Sequence, residues 1–307
     1  MRGGEVIKNY LLLVGVVVAA LTHMTHVNES SQLYLFFAMI ALTGIPHGSL
    51  DYFIEKQTCI NQDQKISFRI FLMKYILAMV LYGILWLISA TTSLIFFILL
   101  TAYHFGEIDW PLRKNTKSEP WLYSAYGLQM IVFILTSHIH SAAPILEFIV
   151  QQKTSTLWWV KWGEIIFPYC CISIVLSFIL LLIYHRRLGW DRKIMIRFFA
   201  QSFLLIFLIY LMPLYLSFGF YFSFWHSLIS FDLIRQQMQL KNDWNGWTCM
   251  IRKAIPFTII AWIVILFLVL LPHHTLTQWP ILSSLFIGIS ILTLPHLQVF
   301  TRIKLGN

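Results

Sequence analysis

The sequence predicts an all-α fold, a polytopic transmembrane helical bundle of about ten spans with both termini cytoplasmic. Three observations predict it. Hydrophobic residues fill 58% of the 307 positions and charged residues 11%, whereas a soluble domain carries roughly 25% charged residues. The apolar residues gather into long runs separated by short polar loops, as spans through a bilayer do. The basic residues sort to one side of those runs, which marks the cytoplasmic side.

The runs lie at about 10–24, 32–46, 70–88, 92–105, 121–137, 164–184, 195–212, 214–231, 253–271 and 279–296. The first resembles a secretory signal, but the rest of the chain is equally apolar, so it reads as a retained span. The splits near Ser89–Ser93 and Met212–Leu214 separate neighbouring runs, and Pro213 favours the second break. Ten alternating spans put every one of the 22 lysines and arginines on the side of the termini, except Lys153 and Lys161. A miscounted span would scramble that asymmetry. No repeat, low-complexity tract or linker interrupts the chain, so residues 1–307 read as a single integral membrane domain. The net charge of +9 belongs to the loop residues flanking the spans and does not point to nucleic acid. Cys59, Cys170, Cys171 and Cys249 lack metal-ligand spacing and suggest no disulfide framework.

The same topology sorts the histidines. His47, His104, His226 and His296 come from spans 2, 4, 8 and 10, which all run inward, and each lies near the inner end of its span. Ionisable groups at membrane depth are costly, so they face the interior or a cavity. Four imidazoles at one depth suggest a metal site for zinc, copper, iron or nickel. Asp51, four residues after His47, and Glu107 and Asp109, three and five after His104, are candidates to orient those rings. A solvated loop edge explains the three carboxylates equally well. Gly48 and Gly106 permit close backbone approach or a sharp turn. Pro46 and Pro295 precede two of the histidines, so "IPHG" and "LPHL" read as helix ends that present an imidazole. "HIH" at 138–140 and "HH" at 273–274 fall on the outer side and read as interfacial, as does His185 beside Arg186 and Arg187 on the inner side.

"GIPHGSLDYF" (44–53), "AYHFGEIDW" (102–110), "FSFWHSL" (222–228) and "LTLPHL" (292–297) resemble, in order, the Brp/Blh family of integral membrane β-carotene 15,15′-dioxygenases. The resemblance implies a multi-pass enzyme of a bacterial or archaeal inner (cell) membrane. It would use Fe(2+) held by histidines and O2 to split a lipid-soluble carotenoid at its central 15,15′ double bond, giving retinal. It assigns His47, His104 and His226 to the first three ligand positions. At the family's usual fourth-ligand position this chain has Ser230, a poor iron ligand. Either His296 completes the set, or three histidines suffice, or activity is lost or altered. Tyr103, Phe105, Tyr221 and Trp225 are candidates to line the substrate path, although aromatic belts and packing account for most membrane aromatics. Beyond the ligands and those carboxylates no catalytic residue is assigned. The implied partners are carotenoid, O2 and membrane lipid, without nucleic acid, and nothing assigns an oligomeric state. The rival class is a histidine-dependent transporter, but no inverted repeat is visible. No H-E-x-x-H supports a membrane zinc protease, and the inner histidines are not paired as a di-iron desaturase or hydroxylase would need.

Overall fold

The computed structural model describes residues 2–111, 119–151, 154–270 and 279–303. The described residues are helical with short connections. In chain order the helices are α1 (Arg2–Thr25), α2 (Glu29–Met39), α3 (Ile45–Gly48), α4 (Asp51–Asn61), α5 (Phe68–Ile88), α6 (Ala90–Asp109), α7 (Glu119–Ser137), α8 (Ile139–Ile149), α9 (Thr156–Tyr184), α10 (Arg192–Leu211), α11 (Leu214–Gly219), α12 (Ser227–Gln237), α13 (Trp244–Leu270) and α14 (Trp279–Phe300). Two π-helical stretches join them without a break: Ile40–Gly44 between α2 and α3, and Phe220–His226 between α11 and α12.

Among the described residues, eight helices are long and apolar enough to cross a membrane, or nine if α7 and α8 form one bent span. The ten predicted runs map onto these with two revisions. The run at 121–137 continues, after a 104° bend, into α8, a segment outside every predicted run. The run at 214–231 lies within the helix from Leu214 to Gln237, but that helix is not among the eight. Its serines, tyrosines and His226 dilute its apolar character. Helix ends also reach past the apolar runs, as in α9 and α13, because backbone hydrogen bonding continues where hydrophobicity stops.

Local chemistry explains several boundaries. Asn28, Ser89, Ser155 and Asp191 each cap the helix after it by accepting a backbone N–H, which satisfies one of the donors a helix start leaves free. Ser89 thus separates α5 from α6, and Pro213 stands at the start of α11. "IPHG" is a helix end as expected: α3 stops at Gly48 and α4 restarts at Asp51. "LPHL" is not. Pro295 sits inside α14, which runs on through His296 to Phe300, and membrane helices tolerate such a proline where neighbours satisfy the freed backbone groups. The outer histidines serve structure. His138 Nε2 meets the Met212 carbonyl at 2.7 Å and its Nδ1 meets the Ile134 carbonyl at 3.0 Å, and His140 pairs with Glu164 at 3.3 Å on the exposed side. His273 and His274 lie outside the described residues.

The tightest helix pair is α6 against α7. A Cβ on Gly106 would land on the Tyr123 carbonyl, and one on Gly127 would land on the Ala102 carbonyl. Each glycine therefore lets the facing backbone approach, as small residues do between membrane helices. Gly48 differs, because a Cβ there would meet nothing nearer than the His296 ring at 3.7 Å. The close-approach role expected of both glycines belongs to Gly106 alone. Gly106→Ala should force α6 and α7 apart and lower stability by about 1–3 kcal/mol or more. Gly83→Ala, whose Cβ would have its nearest neighbour at 3.7 Å, should leave the melting temperature in detergent almost unchanged. Equal melting temperatures for the two variants would contradict this packing.

Candidate metal centre

Four helical segments deliver one imidazole each to a common point inside the bundle. His47 comes from α3, His104 from α6, His226 from the end of the second π stretch and His296 from α14, and all four are buried. One nitrogen from each of His47, His104 and His226 lies within 4.8 Å of the others. The ring centroids form a closed circuit: 5.4 Å from His47 to His226, 4.7 Å on to His104, 4.9 Å on to His296 and 4.9 Å back to His47. Successive rings meet edge-on, at 72° to 88°.

Local backbone irregularity aims two of the rings. A π turn adds a residue to a helix and rotates the residues beyond it, and such turns recur at functional sites. One π turn immediately precedes α3, where Pro46 has no N–H to donate to the regular ladder. The other ends on His226 itself. The two stretches pack on each other, and Gly44 is where they touch: a Cβ there would meet the Phe222 ring at 2.9 Å.

The nitrogens fit a metal ion better than a hydrogen-bond network. Nδ1 of His47, both ring nitrogens of His226 and Nε2 of His296 are buried with no hydrogen-bond partner among the described residues. Buried polar atoms are nearly always paired, and one nitrogen of each ring in the His47, His104 and His226 group is placed to meet a shared ion. An all-imidazole donor set suits iron, zinc, copper or nickel.

His296 shows how such a ring is held. Its Nδ1 lies 2.7 Å from Oδ1 of Asp51, and Oδ2 of Asp51 accepts the Tyr75 hydroxyl at 2.8 Å. A carboxylate only accepts, so Nδ1 carries the hydrogen and Nε2, buried without a partner among the described residues, keeps the lone pair. This is the carboxylate–histidine support common behind metal ligands. Sequence alone does not single out Tyr75, because a lone tyrosine in a lipid-facing helix carries no signal; only the fold brings it to Asp51.

The other carboxylates stand elsewhere. Asp109 is bonded not to an imidazole but to Tyr221 Oη at 2.9 Å and Trp225 Nε1 at 2.7 Å. Its backbone carbonyl accepts Lys8 Nζ at 3.0 Å, so it ties α1, α6 and the His226 segment together. Glu107 is buried one turn from His104 on α6. Ser230 is fully buried, and its hydroxyl donates to the His226 carbonyl at 2.8 Å within its own helix. It therefore faces its own backbone.

A cavity of about 390 Å³ opens on the four histidines. A second, of about 120 Å³, lies beside it and is lined almost wholly by apolar side chains. Thr101, Phe105, Phe222 and Ile289 belong to both walls. Of the expected path-lining residues, Phe105 borders both cavities and Tyr221 the second. Tyr103 and Trp225 border neither. Tyr103 is turned to α7, where Tyr123 donates to its hydroxyl at 3.1 Å, and Trp225 is held by Asp109. Phe105 lies against the His226 ring at 4.2 Å between centroids, and Phe300 against His104 at 4.9 Å.

Residues 38–304 match the protein family described as Beta-carotene 15,15′-dioxygenase. A curated protein of that name, from the uncultured marine bacterium 66A03, is 24% identical over 281 residues, covering 88% of this chain and 96% of its own length. No solved structure matches.

Two variants test the framework of the centre. Asp109→Ala strands two buried donors, each worth about 1–3 kcal/mol when left unsatisfied. It should lower the melting temperature markedly more than Asp109→Asn, which keeps one acceptor. Ser230→Ala removes only a bond to its own helix, so bound metal, measured by elemental analysis of purified protein, should match the parent. A loss of metal in Ser230→Ala would put that serine, a poor ligand by its chemistry, among the groups that hold the ion.

Proposed function

Because the chain belongs to the β-carotene 15,15′-dioxygenase family, we propose that it splits β-carotene, or a related carotenoid, with O2 at the central double bond. The C15–C15′ bond breaks and each carbon takes one oxygen atom, so one carotene gives two molecules of retinal and no reductant is consumed. The observation that carries this reading is the convergence of nitrogens of His47, His104 and His226, with the His296 ring beside them, at an apolar cavity. Such a site suits a hydrocarbon that dissolves only in lipid. The chain works in the inner membrane of a bacterial or archaeal cell, where that hydrocarbon resides.

In this reading the four histidines hold Fe(2+), with His296 taking the place that Ser230 vacates. A ferrous ion with open coordination positions supplies the redox chemistry that lets O2 react with an alkene. The chain's own residues do the rest. Asp51, itself steadied by Tyr75, fixes the tautomer and direction of His296. Phe105, Phe222 and Phe300 shield the imidazoles from water, and a dry site prevents a reactive centre from wasting oxidant. The shared wall between the two cavities sets where along its length a rod-shaped substrate meets the histidines.

The test is made in cells that accumulate β-carotene. Expression of the chain should bleach them and yield extractable retinal, and the purified protein should carry about one iron per chain, as a single centre requires. His47→Ala, His104→Ala and His226→Ala should each abolish both. Persistent colour with well-expressed, iron-loaded protein would refute the reading for this substrate. His296→Ala should also lose iron, and full iron and turnover in that variant would remove the fourth ligand.

A further inference from the structure

The cavity at the histidines has a mouth in the side of the bundle. Leu72 and Ile76 of α5 and Ile260 and Val264 of α13 line it. The same four side chains are 40%, 48%, 58% and 44% exposed at the outer surface. A residue that both borders a cavity and faces outward marks an opening. The helix packing explains the gap: among the described residues α5 and α13 each pack against α14 but make no comparable contact with each other. At one end aromatic rings close the slot, with Phe68 against Tyr52 at 4.9 Å and against Phe257 at 6.4 Å. Both α5 and α13 are membrane-crossing candidates, so the slot faces hydrocarbon rather than water.

We propose that the slot between α5 and α13 is the portal through which a long, rod-shaped apolar hydrocarbon leaves the bilayer, end first, and reaches the histidines. The portal rests on the reading that this centre acts on a carotenoid. The rim residues are aliphatic, and the Tyr75 hydroxyl inside is already committed to Asp51. A lipid headgroup drawn into this slot would lose its water without gaining a partner, which is costly. A polyene has no polar group to desolvate. Past the histidines, the shared wall of Thr101, Phe105, Phe222 and Ile289 leads to the second apolar cavity. A molecule that enters through the slot and runs on beyond the centre therefore places its middle, not its end, at the metal ligands. That explains how a centrally cleaved, symmetrical substrate is positioned without any polar contact to recognise it.

The test narrows the slot without touching the centre. Ile76→Trp and Val264→Trp, singly and together, place indoles across the rim, and Leu87→Trp, on an outward position of α5 that is 85% exposed, is the control. The protein is placed in lipid nanodiscs. Binding is read without O2 as the β-carotene absorption retained by the protein, and turnover is read with O2 as retinal formed. The double variant should lose bound carotene and fall in kcat/KM by about tenfold or more, chiefly through KM, while iron per chain and melting temperature match the parent and Leu87→Trp changes nothing. Carotene binding and turnover equal to the parent in a folded double variant would overturn the portal. If the indoles prevent folding, Ile76→Cys is labelled after folding with a bulky maleimide, alongside labelled parent, and the same two outcomes decide. A parent that neither binds carotene nor makes retinal brings down the reading of the centre; an active parent with equally active blocked forms brings down the slot alone.

Discussion

The structure depends on one constraint: imidazole nitrogens buried in an apolar bundle need something to bind, and here they are gathered around a common point. Four histidines from four separate segments bring rings within 4.7–5.4 Å of their neighbours. In hydrocarbon the penalty for a stranded polar atom is severe. A divalent ion with affinity for imidazole removes that penalty for several rings at once.

The surrounding scaffold reflects the need to hold those rings still. Two π turns re-aim the segments that carry His47 and His226, and their mutual packing needs the bare Gly44. Asp51 and Tyr75 fix His296 from behind. Asp109 does a different job, pinning Tyr221 and Trp225 so that the His226 segment stays docked on α6. The Gly106 and Gly127 contacts let α7 press directly on α6 beside His104. Asp51, Gly44, Gly106 and Asp109 each lie within two turns of a histidine in sequence, so these packing devices are concentrated around the cluster. By contrast, α5 and α13 are left apart, and the slot between them connects that rigid centre to lipid.

Much of this was legible in the sequence, for identifiable reasons. Spans announce themselves because a bilayer imposes continuous apolar runs. The four histidines could be grouped because each sits near the same end of its run, and depth is a one-dimensional property that a sequence records. What could not be read is lateral: which side of a helix a residue faces, and what stands opposite. Asp51 and Asp109 looked alike, each a few residues beyond a histidine, yet one supports His296 across the bundle and the other bonds Tyr221 and Trp225. Tyr103 and Trp225 border neither cavity for the same reason. Pro295 misled because a proline that ends a helix in water can be carried through one in a packed membrane bundle. The continuation into α8 was hidden because the polar stretch from Ser137 to Ser141 at the bend looks like a loop that ends the run.

The most direct test of the account is X-ray absorption at the iron edge of the purified, metal-loaded protein, compared with its His296→Ala variant. The account predicts an iron ringed by nitrogen scatterers with the outer-shell signature of several imidazoles, a signature that weakens by one ring in the variant. An iron signal free of imidazole scattering, or no iron bound at the cluster while carotene is still cleaved, would contradict it.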